Sequence, residues 1–276
     1  MRKIIDFLKN NPIITGIFGV VIGVAATKVY VQLTIGRIAL LRIILTMAMS
    51  MFVYLISRER SFENCHTTTG YMLKWGILTI IPELFMLFSI IFTLASEGNA
   101  VVAGWPVRVL FAVCACVFVG LFEELTFRVI INDALLYSFR NHKHIFIWIA
   151  IISSLVFGAV HVITGSIFTS PMAFGLAVLK TLSAGVCGVC WLLMYWKTRN
   201  LWGIALLHAL CDFPTFLQSA LTEVNVSLGG AENYTGAGVA GLAVYLVQIV
   251  CNVIAFIILW KKVGKTIDFE DIRRNW

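Results

Sequence analysis

Charged side chains are scarce in this chain. Only 13% of its 276 residues are Asp, Glu, Lys or Arg, while 60% are hydrophobic and the mean hydropathy is +0.92. A soluble domain is about half apolar and about a quarter charged, so that class is excluded and an integral membrane protein is expected. No linker, internal repeat or low-complexity tract divides the sequence, which reads as a single membrane domain over residues 1–276. Three motifs are missing as well: HExxH, G-x-S-x-G and a glycine-rich phosphate loop. Their absence removes the usual helical zinc-peptidase site, the nucleophile elbow and the common nucleotide cradles. The net charge of +7 is not a nucleic-acid signal, because basic residues collect at the ends of apolar segments rather than among aromatics on a polar face. The seven cysteines are odd in number and fall mostly inside apolar segments, where cysteine is a small hydrophobe. Neither a disulfide framework nor a metal or redox role for Cys187-x-x-Cys190 is expected.

What is present is a series of apolar segments, predicting an all-α, polytopic membrane helical bundle of about eight transmembrane helices. Arg2, Lys3 and Lys9 precede the first, an apolar run from Ile13. A signal peptide cut after Val24-Ala25-Ala26 is one reading, but the run continues through Val31 and favours a retained span. The others are expected at about Ile38–Ile56, Trp75–Leu94, Val107–Phe139, Ile145–Ile163, Met172–Trp196, Leu201–Ser219 and Val239–Trp260. Arg58, Arg60, Lys74, Arg140, Lys143, Lys197, Arg199 and the basic tail from Lys261 mark one set of loops. The alternate loops, Gly165–Pro171 and Leu221–Gly238, have no lysine or arginine. With eight spans this places both termini in the cytoplasm, against the placement of Lys28, Arg37 and Arg42. Asn225 and Asn233 begin sequons, which decide nothing by themselves.

One stretch stands out, Leu121-Phe122-Glu123-Glu124-Leu125-Thr126-Phe127-Arg128. A charge near the bilayer centre costs roughly 2.5–3.5 kcal/mol, so three charges facing lipid alone would cost on the order of 8–10 kcal/mol. They must face protein or water. Glu124 and Arg128 are at i and i+4 with the acid first, which predicts an ion pair. Glu123 is rotated about 100° away and lacks a local counter-charge.

Two further segments carry ionisable groups, Phe157-x-x-x-His161 and His208-x-x-x-Asp212, the latter pair on one helical face. With Glu123 these make up a large share of the few ionisable residues in the interiors of spans three to eight, which also include Glu83 beside Pro82 and the Glu124–Arg128 pair. Glu83 is expected to be structural or cavity-lining. Together the groups can satisfy one another, or water, in a shared cavity. Desolvation strengthens a glutamate as a general base, and a histidine beside it can help polarise water towards an amide. A second histidine with a polar neighbour could stabilise the oxyanion. The same set offers Glu123, His161 and His208 as zinc ligands. Two non-hydrolytic readings remain open: an ion- or proton-coupled transporter with these groups as a relay, and a non-catalytic bacteriocin-immunity or regulatory protein.

The three motifs, Glu123-Glu124-x-x-x-Arg128, Phe157-x-x-x-His161 and His208-x-x-x-Asp212, resemble in order the CAAX-protease and bacteriocin-processing (CPBP, or Abi) family of intramembrane proteases. The resemblance covers about residues 107–220, the expected catalytic core. It implies an endopeptidase acting on a peptide or membrane-protein substrate within or beside the lipid bilayer. It also implies roles: Glu123 and His161 activate water, and His208 with the residue four later forms the oxyanion site. The prenyl-protein branch usually has asparagine where this chain has Asp212. In a dry site a protonated Asp212 could donate to the oxyanion, whereas in a wet site it would be ionised and orient His208. The dry case is the expectation. No cofactor is expected, zinc at Glu123, His161 and His208 being the alternative.

Overall fold

A computed structural model describes residues 2–27, 32–57, 62, 69–96, 101–163, 167–222, 226–227 and 234–275. Lys28, Arg58, Arg60, Cys65, Asn225 and Asn233 lie outside the described residues. The chain is a helical bundle: α1 (Arg2–Asn10), α2 (Pro12–Thr27), α3 (Ile35–Ser57), α4 (Thr69–Ser96), α5 (Trp105–Glu124), α6 (Asn132–Phe139), α7 (Ile145–Val160), α8 (Pro171–Thr198), α9 (Leu201–Leu221), α10 (Tyr234–Lys262) and α11 (Phe269–Asn275). A π-helical segment, Leu125–Ile131, joins α5 to α6 without a break in the rod. Two two-residue strands, β1 (Gln32–Leu33) and β2 (Val226–Ser227), pair antiparallel across the end of the bundle.

Six helices among the described residues are long and apolar enough to cross a membrane, and up to seven if the bent α1–α2 pair forms one span. The expected count of about eight is therefore not reached by length. The first expected span begins with α1 and α2 meeting at 109°. The fifth stops early: α7 has 16 residues, about 24 Å, and ends at Val160 rather than Ile163. Hydropathy cannot register that end because Val162 and Ile163 are as apolar as what precedes them.

Burial follows the logic of a lipid-facing protein. Outward positions hold large apolar side chains such as Phe85, Phe88, Ile91 and Phe92 on α4, and Val247, Val250 and Ile254 on α10. Polar groups are turned inward, among them Thr46, Thr79, Glu124, Arg128, Asn132, Ser183, His208 and Asn252. In hydrocarbon such groups have no water to bond, so they find each other. Thr46 donates to the Phe118 carbonyl (2.8 Å) and joins α3 to α5, while Trp196 Nε1 donates to Asn132 Oδ1 (2.8 Å) and joins α8 to α6.

Helix starts are set locally. Ser170 caps α8 by accepting from Ala173 N–H (3.1 Å), with Pro171 at the first helical position. Asn200 caps α9 by accepting from Gly203 N–H (2.8 Å), and the preceding Arg199 closes α8 in the left-handed region (φ 52°). The basic connections gather at one end of the bundle. Lys197 Nζ donates to the Thr266 carbonyl (2.7 Å), Arg273 to the Lys143 carbonyl (3.1 Å), and Arg199 pairs with Asp133 (3.6 Å). The opposite end holds β1, β2 and the bonds from Arg108 to the carbonyls of Ser219, Ala220 and Thr222.

Two glycines bring the motif helices into backbone contact. A Cβ at Gly120 would strike the Ala205 carbonyl and the Cβ of His208, and one at Gly158 would strike the Thr181 carbonyl. The first approach locks α5 to α9 and the second locks α7 to α8. The six described cysteines are free thiols. Cys190 Sγ donates to the Asn252 carbonyl (3.7 Å) and Cys187 lines a cavity.

Candidate active site

Glu124 ends α5, and Arg128 lies in the π-helical segment that follows. Short π-helical stretches recur at functional sites because they re-aim side chains within an otherwise regular helix. The expected ion pair forms, with Arg128 Nε 3.0 Å from Glu124 Oε2 and both side chains fully buried. Glu124 does more than the sequence reading assigned to it. Its other oxygen, Oε1, lies 2.8 Å from His208 Nδ1 on α9. One buried carboxylate therefore bridges Arg128 and His208. Because a carboxylate in an ion pair accepts, His208 Nδ1 carries the proton and Nε2 is turned the other way.

Nε2 of His208 faces two further acids, Glu123 Oε2 at 3.7 Å and Asp212 Oδ2 at 3.7 Å. Glu123 Oε2 is also 4.0 Å from His161 Nε2. The three motifs thus converge, although 85 and 38 residues separate Glu123 from His208 and from His161 in the chain. His161 is the first residue past α7. Its ring turns back so that Nδ1 donates to the Phe157 carbonyl (2.6 Å), a group that only accepts. In the neutral imidazole the lone pair is then on Nε2, facing Glu123.

Phe157, four residues earlier, lies among these groups. Its ring centroid is 4.8 Å from that of His161 and 5.9 Å from that of His208, and it meets Phe127 edge-on at 5.0 Å. The Arg128 guanidinium lies 4.9 Å from its centroid, a cation–π contact in a buried setting. Trp191 of α8 packs at 4.6 Å on His208 and donates from Nε1 to Thr79 Oγ1 (3.0 Å) on α4. Aromatic rings thus hold both imidazoles from behind.

A cavity of about 280 Å³ opens in front of them. His161, His208, Asp212, Phe157 and Trp191 line it, together with Glu83 and residues of α8 and α10. Glu83 is cavity-lining, as expected, and accepts from Gln248 Nε2 (3.1 Å). Asp212 does not take the orienting position behind His208, which Glu124 occupies. Its side chain is 30% exposed and faces the cavity.

Two cations join the acids. Arg42 of α3, counted in the sequence as a charge against the orientation rule, is buried inside the bundle and interacts electrostatically with Glu123 and Asp212. It lies inside the bundle, on the side of the acids. Lys180 of α8 lines the cavity and interacts with His161 and Asp212. The only sequence signal for either is a basic residue inside an apolar segment.

Residues 104–214 match the family model for Rce1-like type II CAAX prenyl endopeptidases. The match takes in all three motifs, in agreement with the CPBP resemblance. No curated protein and no solved structure matches the chain. Outside the matched segment, α3, α4 and α10 supply Arg42, Glu83, Thr79, Gln248 and Asn252 to the site and its cavity.

Proposed function

We propose that the protein is an intramembrane endopeptidase in which Glu123 and His161 activate water and His208 stabilises the oxyanion. The observation that carries this reading is the convergence of Glu123 on His161 and His208, two histidines that line a cavity built between membrane helices. A gap of 4.0 Å between Glu123 Oε2 and His161 Nε2 is too long for a direct hydrogen bond and suits a water held by both. The carboxylate takes the water's proton as oxygen attacks the amide carbonyl, and later gives it to the leaving amine. His208 Nε2, on the other side of Glu123, meets the developing oxyanion. In that role Nε2 also carries a proton, with Glu124 behind the ring as the counter-charge. Glu124 and Arg128 position His208, and neither contacts substrate. The chain acts as one membrane domain. Its core of about residues 107–220 supplies the groups, and α4 and α10 close the cavity. The clustering of basic connections at one end supports cytoplasmic termini.

Comparative peptidomics of membranes bearing wild type or Glu123→Ala tests the reading. Peptides released only by the wild type are expected, and identical peptide profiles would reject a peptidase.

Asp212 contributes as a cavity-facing polar group. Since Glu124 holds Nδ1 of His208, Asp212→Asn removes a carboxylate 3.7 Å from Nε2 but leaves the hydrogen bond that orients the imidazole in place. The variant is expected to retain activity within about tenfold, or about 1.4 kcal/mol in transition-state free energy. A pH–rate profile on one peptide checks this, and a larger loss at every pH would assign Asp212 an essential charge.

Zinc held by Glu123, His161 and His208 is the alternative chemistry. The atom types suit it, but no three His, Cys, Asp or Glu among the described residues are arranged to hold an ion. The water-only reading predicts sub-stoichiometric metal in purified protein and cleavage that resists chelators. About one zinc per chain, with activity lost on chelation and restored on readdition, would replace it.

A further inference from the structure

Among the described residues that line the cavity, none comes from α1 or α2. Three glycines seat α2 instead on the rod formed by α5, the π-helical segment and α6. A Cβ at Gly16 would crowd Ala134, one at Gly19 would strike Ile130, and one at Gly23 would touch Thr126. The pairs run in opposite order along the chain, so α2 is antiparallel to a rod long enough to cross a membrane. Between α2 and α1 the chain turns by 109°, so α1 runs across the end of the bundle, along the membrane surface. Ala134 marks that end as the basic one, since the adjacent Asp133 pairs with Arg199. α1 itself is amphipathic: Ile4, Ile5, Phe7 and Leu8 share one side, and Arg2, Lys3, Asp6 and Lys9 the other. Ile4 and Phe7 stay exposed. An uncovered apolar face backed by basic residues, lying crosswise to spanning helices, is the form of an interfacial helix. Beside it a groove of about 220 Å³ opens between α1, α2, the end of α3, the π-helical segment and α6. Its walls are largely hydrocarbon, from Leu8, Val53, Ile56, Val129, Ile130 and Ala134. Lys9, Asp133 and Tyr137 also line it. Arg199 balances Asp133 at 3.6 Å, and the Arg140 guanidinium lies 4.7 Å from the Tyr137 ring centroid. The polar groups around this apolar groove therefore carry a surplus of positive charge.

We propose that this groove binds an anionic phospholipid of the adjacent leaflet, with one acyl chain against Ile56, Val129 and Ile130 and the phosphate at Lys9 and Arg140. The site is separate from the catalytic groups, and the inference does not depend on the peptidase reading. Two properties of the groove select this occupant. Pockets that enclose a whole drug-sized ligand measure roughly 300–1,000 Å³, so 220 Å³ takes a length of one chain while the rest stays in the bilayer. The surrounding charge then sorts the headgroup. A zwitterionic lipid brings its own cation beside the phosphate, whereas an anionic lipid leaves its charge for Lys9 and Arg140. The crosswise course of α1 holds the groove at the depth where phosphates and the first part of the chains lie.

The test uses the full-length protein, delipidated in detergent, with phosphatidylglycerol and phosphatidylcholine of identical chains. Native mass spectrometry counts the bound lipid. The wild type is expected to bind phosphatidylglycerol at least about tenfold more tightly. Lys9→Gln/Arg140→Gln should bring that ratio near one. Lys261→Gln/Lys262→Gln removes the same charge from the end of α10 and should leave the ratio unchanged. Phosphatidylglycerol with a diazirine at the end of one chain should label peptides holding Ile56 or residues 129–137. Ile56→Trp fills the groove without altering charge and should abolish that labelling. A wild-type ratio near one, or labelling confined to other peptides, overturns the proposal. Equal losses in the two charge variants would show a diffuse basic surface and reject it as well. Soluble glycerol phosphate, which has no chains, should not compete, and competition would make the groove a site for a free anion instead of a lipid. Should a variant melt early in a thermal scan, Lys9→Gln alone and Ile56→Phe replace the double and the tryptophan changes.

Discussion

Glu123→Gln is expected to lower peptide cleavage by about a hundredfold to ten-thousandfold, the range for losing a general base. That corresponds to about 3–5 kcal/mol of transition-state stabilisation. The amide keeps the shape of the side chain and loses the basic oxygen. Stability should change far less than in Glu124→Ala, because Glu123 is partly exposed, its distances to both imidazoles, 3.7 and 4.0 Å, exceed a direct hydrogen bond, and Asp212 remains as an acid for Arg42. Turnover on one peptide, measured beside the thermal midpoint of the same detergent-solubilised sample, checks both halves. A large fall in the midpoint would make Glu123 a structural residue.

Glu124→Ala should behave in the opposite way and damage the fold first. The substitution strands the fully buried Arg128 without its carboxylate, and breaking such a pair costs about 3–5 kcal/mol. The cation–π contact with Phe157 offsets only part of that. Arg128→Ala should lose extracted yield to a similar degree, since it leaves the acid uncompensated. Joining the two changes in Glu124→Gln/Arg128→Met removes both charges and should recover much of the stability. Activity should stay low in the double variant, because His208 Nδ1 no longer meets a carboxylate. Yield and thermal midpoint across the cycle decide the matter. A double variant as unstable as the sum of the singles would show that the pair is not coupled.

Local spacing is what made the site legible. Glu124 and Arg128, Phe157 and His161, and His208 and Asp212 each sit four residues apart, and one helical turn brings each pair to the same face whatever the surrounding fold. The surplus of apolar residues likewise required a membrane bundle, and the cost of charge in lipid required that its few ionisable groups meet. Glu83 on the cavity wall follows from the same argument.

What the spacing could not carry is any relation between helices. The bond from Glu124 to His208 joins residues 84 apart, and it exists because Gly120 lets α5 approach the backbone of α9. The burial of Arg42 beside the acids is likewise a matter of how α3 packs on α5, so a residue that reads as a charge against the orientation rule becomes a buried neighbour of Glu123 and Asp212. The end of α7 at Val160 leaves no trace in hydropathy, because the residues beyond it are equally apolar. That early stop is what puts His161 opposite Glu123. Composition and the 3.6-residue turn determined the membrane bundle and its motif pairs by themselves. Helix crossings, set by contacts between residues far apart in the chain, decided which acid faces which histidine and which lysine shares their cavity.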